Sequence, residues 1–266
     1  MPAHEAVRRF SYGDLKISAL DLPLALDTFF ASVAEKRGGY IACTCTHGVI
    51  EVQRDPKLRA IIDDAVLALP DGMPLVWLGR IKGMPVARVT APDFLERVMR
   101  DPRGRAIRHY FYGATADAVG RIVARATSLL GADAVAGWHC PPFRPAGALE
   151  DPAVIEAIAA ARPDVIWVGL GLPKQEYWMA NHQAHFPGSL MVGVGAAFDF
   201  FAGTQPRAPV PLQRAGLEWL HRLAHNPRRL WPRYREVIPK ALNIFMLEVL
   251  AQPAGGRELL RASRRR

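Results

Sequence analysis

The feature that most restricts how this 266-residue chain can fold is its alternation of short apolar segments with helical patterns. Six segments have the length of strands and end in glycine or a polar turn: 38–45, 65–69, 107–113, 134–138, 164–171 and 189–195. Strands that are apolar on both sides are typical of a parallel sheet covered on both faces. Helical patterns occupy 49–63, 92–101, 115–130, 151–161 and 173–186. This order predicts an α/β fold with a mostly parallel, Rossmann-like sheet.

The distribution of charge divides the chain into two parts. The net charge is +9, yet residues 1–206 contain 21 basic and 21 acidic side chains and are therefore neutral. Residues 207–266 contain 13 basic and 4 acidic side chains, several prolines and no strand pattern. We therefore predict an α/β body over 1–206 and a helical, basic C-terminal appendage over 207–266. Such asymmetry indicates a polyanionic partner: nucleic acid, anionic lipid or a phosphate-bearing substrate.

Neither a membrane span nor an export signal is evident in the sequence. It has no run of 18 apolar residues, and its first residues lack the apolar core of a signal peptide. Its three cysteines cannot build a disulfide framework. We therefore expect an intracellular, reduced setting.

The carboxyl end of the strand predicted at 164–171 carries the first candidate ligand site, since open α/β sheets bind ligands where their strands end. Gly169 and Gly171 would let the backbone approach a ligand, and the following helix would offer free N–H groups to an anion. Polar side chains fill the first turn of that helix: Lys174, Gln175 and Glu176. A dinucleotide-binding G-x-G-x-x-G motif would need glycine at position 174, so a hydride-transferring enzyme is disfavoured. The alternative is a tight turn with solvated side chains.

Two acidic residues follow other predicted strands. A second Gly-x-Gly turn, Gly193 and Gly195, closes the strand at 189–195, and Gly195 is a further candidate ligand contact. Asp199 follows it among phenylalanines, so it is either a buried structural acceptor or a ligand contact. Asp71 follows the strand at 65–69 in a Pro-Asp-Gly turn, where a carboxylate could serve as a general base. The same tripeptide is also a common turn without any function.

The sequence predicts no bound metal and no cofactor. Cys43, Cys45 and His47 do not have the spacing of a closed zinc site. The chain also lacks the Asp-x-Asp pair that typically holds a divalent ion on a nucleotide-sugar diphosphate. If the donor is a nucleotide sugar, helix N-termini and arginines would have to neutralise the leaving diphosphate.

Several motifs, in their order and spacing, resemble those of the WecG/TagA/CpsF glycosyltransferase family. They cover about residues 38–240 and read DPKLRAIIDDAVLALPDGMPLVW, ARVTAPDFL, GLGLPKQEYW, GVGAAFDFFAG, RAP and GLEWLHRLAHNPRRLWPRY. The resemblance implies a metal-independent, inverting hexosyl- or N-acetylhexosaminyltransferase of cell-envelope or exopolysaccharide assembly. Its donor would be a UDP-sugar and its acceptor a sugar on a polyprenyl diphosphate. It also implies a cytoplasmic protein held peripherally on the inner face of the cell membrane, with the anionic membrane surface as a partner.

The resemblance also assigns roles to residues whose motifs match. Asp71 would be the catalytic base, Gln175 would lie in the active-site pocket, and Arg88 would lie near them with Asp93. Arginines of the appendage would close over the pocket and contact the diphosphate; the matching positions are Arg207, Arg214, Arg222, Arg228 and Arg229.

The loop after the first body strand departs from the family pattern. The family's Thr-x-Asn falls on Cys43 and Cys45 when counted back from the next motif, and Thr44 lies one residue away. Either the loop is shifted by one residue, which makes Thr44 the catalytic threonine, or the protein belongs to a branch with altered donor or acceptor contacts.

The appendage combines cations with amphipathic aromatics, as a segment that binds a lipid-linked diphosphate at a bilayer would. Residues 216–234 supply both, and 237–251 is apolar but too short to span a membrane. Packing of Trp219 and Leu220 against the body is the structural alternative, and both can hold on opposite faces of one helix. The alternative function is a nucleotide-binding module whose tail binds nucleic acid. No nucleic-acid-binding motif supports it, so we predict no such partner. A homo-oligomer is possible.

Overall fold

The structure is a computed structural model that describes residues 7–251, and a six-stranded parallel sheet forms its centre. Its strands, preceded by a hairpin of β1 (Arg9–Tyr12) and β2 (Leu15–Ser18), are β3 (Tyr40–Thr44), β4 (Leu67–Pro70), β5 (His109–Gly113), β6 (Val135–His139), β7 (Val165–Gly169) and β8 (Leu190–Gly193). The strand order is β4-β3-β8-β7-β5-β6, with every pair parallel. Each strand lies within one predicted segment or overlaps it, so the predicted α/β, Rossmann-like class is confirmed.

Helices cover both faces of the sheet. Those of the described residues are α1 (Leu22–Ala34), α2 (Thr46–Val52), α3 (Pro56–Asp64), α4 (Met73–Ile81), α5 (Ala91–Arg100), α6 (Ala116–Leu130), α7 (Pro152–Ala160), α8 (Lys174–His182), α9 (Ala197–Phe201), α10 (Val210–Arg214), α11 (Glu218–His225) and α12 (Pro227–Leu250). Helices α1, α5, α6 and α9 bury their apolar side chains on one face, and α2, α3, α4, α7 and α8 bury theirs on the other. The result is a sheet enclosed between two apolar layers, as its strands require.

The helix predicted at 49–63 is two helices. The carboxylate of Asp55 accepts hydrogen bonds from the backbone N–H groups of Lys57 and Leu58, and Pro56 occupies the first position of α3. Both features start a new helix, because proline supplies no N–H and the cap satisfies N–H groups that lack a helical partner. Helix α2 therefore ends at Val52, before this cap.

The sequence patterns did not predict the hairpin, α1 or α4. The hairpin buries Tyr12 and Ile17 beside the sheet, and α1 is capped by Asp21, whose side chain accepts from Leu24 N. Helix α4 begins directly after the Pro-Asp-Gly turn. The start of α4 thus fixes the direction in which the chain continues after Asp71.

A crevice runs along the carboxyl edge of the sheet. Helix α2 after β3 and α8 after β7 pack on one face, whereas α9 after β8 and α6 after β5 pack on the other. Connections that leave neighbouring strands in opposite directions open a space between them, and ligands of α/β sheets bind there. The four strands β3, β8, β7 and β5 thus share one candidate binding edge.

The described part of the appendage is helical, as predicted, and packs onto the body. Helix α12 continues through Pro232 and Pro239 and contacts α2, α4 and β1. Its Ala241 is buried against the body, where the Ala241 carbonyl accepts from Tyr12 Oη at 3.0 Å. Further along α12, the Glu248 carboxylate pairs with Lys82 at 2.7 Å. The domain boundary at residue 206 stays a prediction, and residues 252–266 with their terminal arginines lie outside the described residues.

Over residues 7–251 no helix is both long enough and apolar enough to cross a membrane.

Candidate active site

Asp71 lies at the carboxyl end of β4, in the turn that leads into α4. Its backbone N–H donates to the Thr44 carbonyl at 2.9 Å, which ties the turn to the end of β3. The N–H of Ala91, at the start of α5, lies 3.4 Å from Asp71 Oδ2. Burial raises the pKa of Asp71 to about 6, although Arg88 and Arg222 oppose the shift. A carboxylate with such a pKa is suited to accept a proton near neutral pH.

Arg88 joins the Asp71 turn to the appendage through all three of its nitrogens. Its Nε donates to the Asp71 carbonyl at 2.9 Å. Its Nη1 donates to the Gln213 carbonyl at 2.8 Å, and its Nη2 donates to Glu218 Oε2 at 2.7 Å. A planar guanidinium with fixed donors is suited to such a three-way junction. Arg88 therefore lies beside the Asp71 turn, and its role toward a substrate stays a prediction.

Arg207 forms the second part of the same cluster. Its Nη1 and Nη2 donate to the two oxygens of Asp93 at 2.5 and 3.0 Å, and Nη2 also donates to Thr90 Oγ1 at 3.2 Å. Burial alone would raise the pKa of Asp93, but hydrogen bonds from Arg207 and Thr90 hold that pKa below its ordinary value. Arg207 Nε lies 3.5 Å from Glu218 Oε1. Two predicted ligand residues thus meet at the joint between body and appendage.

Gln175 is buried, with 3% of its surface exposed. Its Oε1 accepts from Gly171 N at 3.1 Å, and its Nε2 donates to Glu176 Oε1 at 3.0 Å. The amide also packs so closely on Gly193 that a Cβ there would lie 2.8 Å from Nε2. Both ends of the amide are thus bonded within the protein. Gln175 braces the β7–α8 turn against β8.

Glu176 is the deepest acidic residue of this region. Its side chain is fully buried, and burial raises its pKa to about 7. Its second oxygen, Oε2, has no hydrogen-bond partner among residues 7–251. A carboxyl group with these surroundings is largely protonated at pH values below 7.

Thr44 does not reach the open part of the site. It is 1% exposed, its hydroxyl has no hydrogen-bond partner in the described part of the chain, and its methyl group lies beside Gly48 of α2. Cys43 and Cys45 have different surroundings. Burial raises the pKa of both thiols, and the nearby charge of Asp71 raises it further. The two thiols thus lie within reach of the Asp71 charge, whereas Thr44 meets Asp71 through its backbone carbonyl.

The three predicted ligand-site glycines differ in their surroundings. A Cβ at Gly169 would lie 2.1 Å from the Phe198 ring, so packing of that ring accounts for the glycine. Gly171 has φ +76° and open space around its Cα. A Cβ at Gly195 would lie 3.4 Å from the Gly171 Cα. Gly171 and Gly195 are therefore neighbours in the crevice, where only Gly171 faces open space.

A cleft of about 320 Å³ opens at the carboxyl ends of β5 and β7. It is lined by Tyr112, Gly169, Lys174 and residues of the loop 141–148. Phe143 of this loop is 92% exposed, and the Lys174 ammonium lies 3.3 Å from the centre of its ring. An exposed ring can stack on a planar base, while a lysine at a helix N-terminus attracts an anion.

Glu150 anchors the loop that forms one wall of the cleft. Its carboxylate accepts a hydrogen bond from Tyr112 Oη and pairs with Arg144 at 2.7 Å. Its backbone N–H donates to His182 Nε2 at 3.2 Å. Burial and the Glu150 charge together raise the pKa of Tyr112, so its hydroxyl stays protonated and remains a donor. The loop is fixed at its base, whereas the Phe143 tip is open to solvent.

Asp199 shapes the turn that leads to Arg207. Its backbone carbonyl accepts from Thr204 Oγ1 at 3.1 Å, and its Oδ2 lies 3.3 Å from Gln205 Nε2. Asp199 is therefore an acceptor within this turn, and its contact with a ligand stays a prediction.

The predicted appendage arginines occupy different positions. The Arg222 guanidinium lies 5.9 Å from the Phe200 ring centre and near enough to Asp71 to lower its pKa. Arg228 is exposed on α12. The side chains of Arg214 and Arg229 lie outside the described part of the structure. Besides Arg207, Arg222 is therefore the predicted appendage arginine whose described side chain lies toward this cluster, near Asp71.

Within the described residues no three His, Cys, Asp or Glu side chains are grouped so that they could hold a metal ion. The predicted absence of a metal requirement stays a prediction.

Two features of the site, Glu218 and Phe143, were not predicted from the sequence as site residues. Glu218 is the one acidic residue between 207 and 235, a signal that could have identified it as a partner of arginines. Phe143 lies in a proline-rich loop without a regular pattern, and only the fold brings it to the cleft.

Comparison with known proteins identifies the family of the chain. The model of the glycosyl transferase WecG/TagA/CpsF family matches residues 10–258. An N-acetylglucosaminyldiphosphoundecaprenol N-acetyl-beta-D-mannosaminyltransferase of Bacillus spizizenii is 30% identical over 208 residues, which cover 77% of this chain and 78% of the relative. A Bacillus subtilis protein of the same description is 28% identical over 218 residues, or 81% and 82% of the two chains. The match extends over sheet, crevice and appendage, and the chain therefore belongs to the WecG/TagA/CpsF family of glycosyl transferases.

Proposed function

We propose that this enzyme transfers an N-acetylhexosamine from a UDP-sugar to a sugar carried on a polyprenyl diphosphate, in envelope or exopolysaccharide assembly. The observation that carries the proposal is the placement of Asp71, a partly buried carboxylate with a raised pKa at the carboxyl edge of the sheet, bonded through its backbone to Arg88. The names of the relatives support the substrate class, because they specify an N-acetylglucosaminyl-diphosphoundecaprenol acceptor and an N-acetylmannosaminyl group.

The reaction is a single displacement at the anomeric carbon. The acceptor hydroxyl oxygen forms a bond to that carbon while the bond to the β-phosphate oxygen of UDP breaks, and the electron pair leaves with UDP. Asp71 accepts the proton of the attacking hydroxyl. One displacement inverts the configuration. This outcome agrees with the β-linked product in the relatives' names, because UDP-hexosamines carry their sugar in α linkage.

The cleft is the proposed site for the nucleotide half of the donor. The Phe143 ring would stack on the uracil, and Lys174 with the N-terminus of α8 would face the diphosphate. Neighbouring strands are about 4.8 Å apart, so β4 lies roughly 14 Å from β7 across the sheet. A donor that begins at the cleft and runs along the crevice would bring its sugar toward Asp71.

Cations of the protein would stabilise the leaving diphosphate in the proposed metal-independent reaction. Charge-assisted bonds from arginine to phosphate are strong and directional. Arg222 is the described candidate, since its charge already acts on Asp71, and Arg214 is a second candidate by sequence. Such donors act on charge that develops as the bond breaks, which is where they contribute most to the rate.

The appendage is the proposed contact with the anionic membrane surface. One face of α12 exposes large apolar side chains at four- and seven-residue intervals; this apolar stripe consists of Trp231, Ile238, Leu242, Met246 and Leu250. These side chains are 44–60% exposed. Arg228 and Arg235 are exposed on the same helix and flank Trp231. Apolar side chains bordered by arginines match the interface of an anionic bilayer, where the lipid-linked acceptor resides.

An assay of the purified protein tests the proposed function. UDP-sugars would be supplied one at a time with a short-chain lipid-diphosphate N-acetylglucosamine, with and without EDTA, and the product anomer read by NMR. We expect transfer of one N-acetylhexosamine with β configuration at the new linkage, and an unchanged rate in EDTA. A product with retained configuration would overturn the single displacement, and activity restored only by magnesium or manganese would overturn the metal-independent reaction. No transfer from any UDP-sugar would overturn the substrate class.

A further inference from the structure

Glu218 is an acidic residue that the appendage directs into the active site. It begins α11, where a negative charge is favoured by the helix dipole. Its surroundings in sequence are basic, yet it is 8% exposed instead of paired on the surface. A carboxylate is buried at a cost unless it is paired and hydrogen-bonded, so its partners explain its position.

Those partners connect Glu218 to the base. Oε2 accepts from Arg88 Nη2 at 2.7 Å, while Arg88 Nε donates to the Asp71 carbonyl at 2.9 Å. Two hydrogen bonds through one rigid guanidinium thus separate the appendage carboxylate from the backbone of Asp71. Since the guanidinium is planar, the direction of the bond to Glu218 also sets the direction of the bond to Asp71.

The charges around this joint balance only when Glu218 is present. Arg88 and Arg207 both approach its carboxylate, and among the described residues the ion-pair partner of Asp93 is Arg207. Without Glu218, Arg88 would keep only carbonyl acceptors, at Asp71 and Gln213. A guanidinium that has lost its charged partner in a partly buried place is free to turn toward any other anion, Asp71 included.

We propose that Glu218 is a positioning residue for the transfer reaction: its carboxylate orients Arg88 against the Asp71 backbone and so makes correct placement of the base depend on docking of the appendage. The inference rests on the proposed role of Asp71 as the base. Misplacement of a reacting group by about 1 Å can cost up to about 10²-fold in rate. Loss of the Glu218 carboxylate should therefore reduce kcat more than it raises KM for the donor.

The same joint predicts a change in the pH profile. Several charged or titratable groups share the surroundings of Asp71: Arg88, Glu218, Arg222, Cys43 and Cys45. The charge of Glu218 raises the pKa of Asp71, whereas the charge of Arg88 lowers that pKa. Removing the Glu218 charge also releases Arg88, and both effects stabilise ionised Asp71. The acidic limb of kcat/KM should therefore move to lower pH.

The test compares Glu218→Gln with Glu218→Asp and a control, Glu236→Gln. Glu236 is an exposed acid of the same appendage whose ion pairs are with Arg54 and Lys240 and not with Arg88 or Arg207, so its change alters the net charge equally. With wild-type transfer established, we expect Glu218→Gln to lose about 10- to 100-fold in kcat, with its acidic limb at lower pH. Glu218→Asp keeps the charge, so the acidic limb of kcat/KM should stay at the wild-type pH. Its kcat should lie between those of the wild type and Glu218→Gln. Glu236→Gln should match the wild type.

Three outcomes would overturn the inference while leaving the proposed function intact. Glu218→Gln could retain kcat within about twofold of an active wild type. Glu218→Gln and Glu236→Gln could lose activity equally, which would point to net charge. If Glu218→Gln does not fold, the pH profile of Glu218→Asp decides between the outcomes. An acidic limb of kcat/KM that shifts in Glu218→Asp, although the charge is retained, would contradict the positioning role of Glu218. An inactive wild type would instead contradict the proposed function.

Discussion

Asp71 shows how a motif predicts a residue but not its chemical state. The Pro-Asp-Gly turn could be either an ordinary turn or a site, and only the resemblance to a family favoured the site. Burial raises the pKa of Asp71 to about 6, and Arg88 with Arg222 limits the rise. Arg88 lies 17 residues along the chain and Arg222 lies in the appendage, so the Pro-Asp-Gly pattern itself could not predict the balance. Thr44 differs from Asp71. It is buried where β3 ends and α2 begins, with its methyl group beside Gly48 of α2.

The raised pKa of Asp71 predicts how activity depends on pH. The base accepts a proton only when ionised, so kcat/KM should rise as pH increases through about 6 and level off above it. The measurement is a pH–rate profile of the purified enzyme at subsaturating donor. Glu176, whose pKa is raised to about 7, could produce a similar limb, and Glu176→Gln is the control. If the acidic limb of the profile disappears in Glu176→Gln, the titrating group is Glu176 and not Asp71.

At the scale of elements, the strands were predictable and the connections less so. Continuous apolar runs identified all six strands of the sheet, because a strand buried on both faces has few alternatives. The prediction of one helix over 49–63 overlooked the Asp55 cap, although the Asp-Pro pair is visible in the sequence. The loop 141–148 has no periodicity. Its shape depends on Glu150, which contacts Arg144 of the loop and Tyr112 of β5. The cleft therefore could not be predicted from sequence.

The Phe143 loop gives a prediction at this scale. Phe143→Ala should raise KM for the donor about tenfold or more, since stacking on a base contributes roughly 1–3 kcal/mol. Stability should hardly change, because the ring is exposed and leaves no cavity. Phe143→Tyr keeps an aromatic face and serves as the matched control. Steady-state kinetics with varied UDP-sugar, together with UDP binding by calorimetry, checks this. Equal KM values in the alanine and tyrosine variants would show that the uracil does not stack on the ring of residue 143.

At the scale of the whole molecule, the charge asymmetry predicted a distinct appendage but not how it joins the body. The appendage is connected through Arg88 and Glu218 at the site and through Tyr12, Lys82 and Glu248 along α12. It therefore borders the candidate active site and also exposes the apolar stripe. The sequence left open whether its apolar residues pack on the body or face a membrane. Buried Ala241 and exposed Leu242 show that neighbouring residues of α12 have different environments.

Membrane binding can be tested through the apolar stripe alone. Leu242→Glu should weaken binding to anionic liposomes by about tenfold or more, because burying a leucine side chain contributes roughly 1.5–3 kcal/mol. Asn243→Glu adds the same charge one residue away, outside the stripe, and should have a smaller effect. Co-sedimentation with vesicles of stated anionic content measures both, and a soluble short-lipid acceptor should be used equally well by both variants. Equal losses in the two variants would indicate that charge, and not the stripe, governs binding.

The central claim, that Asp71 removes the proton of the acceptor hydroxyl in a single displacement, is tested most directly by Asp71→Asn. The amide keeps the shape of the side chain but cannot accept the proton, so turnover should fall by about 10²–10⁴-fold. Binding of UDP, measured by calorimetry on the same preparation, should be unchanged, because the proposed nucleotide cleft lies at β5 and β7. Asp117→Asn, an exposed change on α6, is the control and should behave as the wild type. Near-normal turnover in Asp71→Asn with UDP binding intact would contradict the assignment of Asp71 as the base.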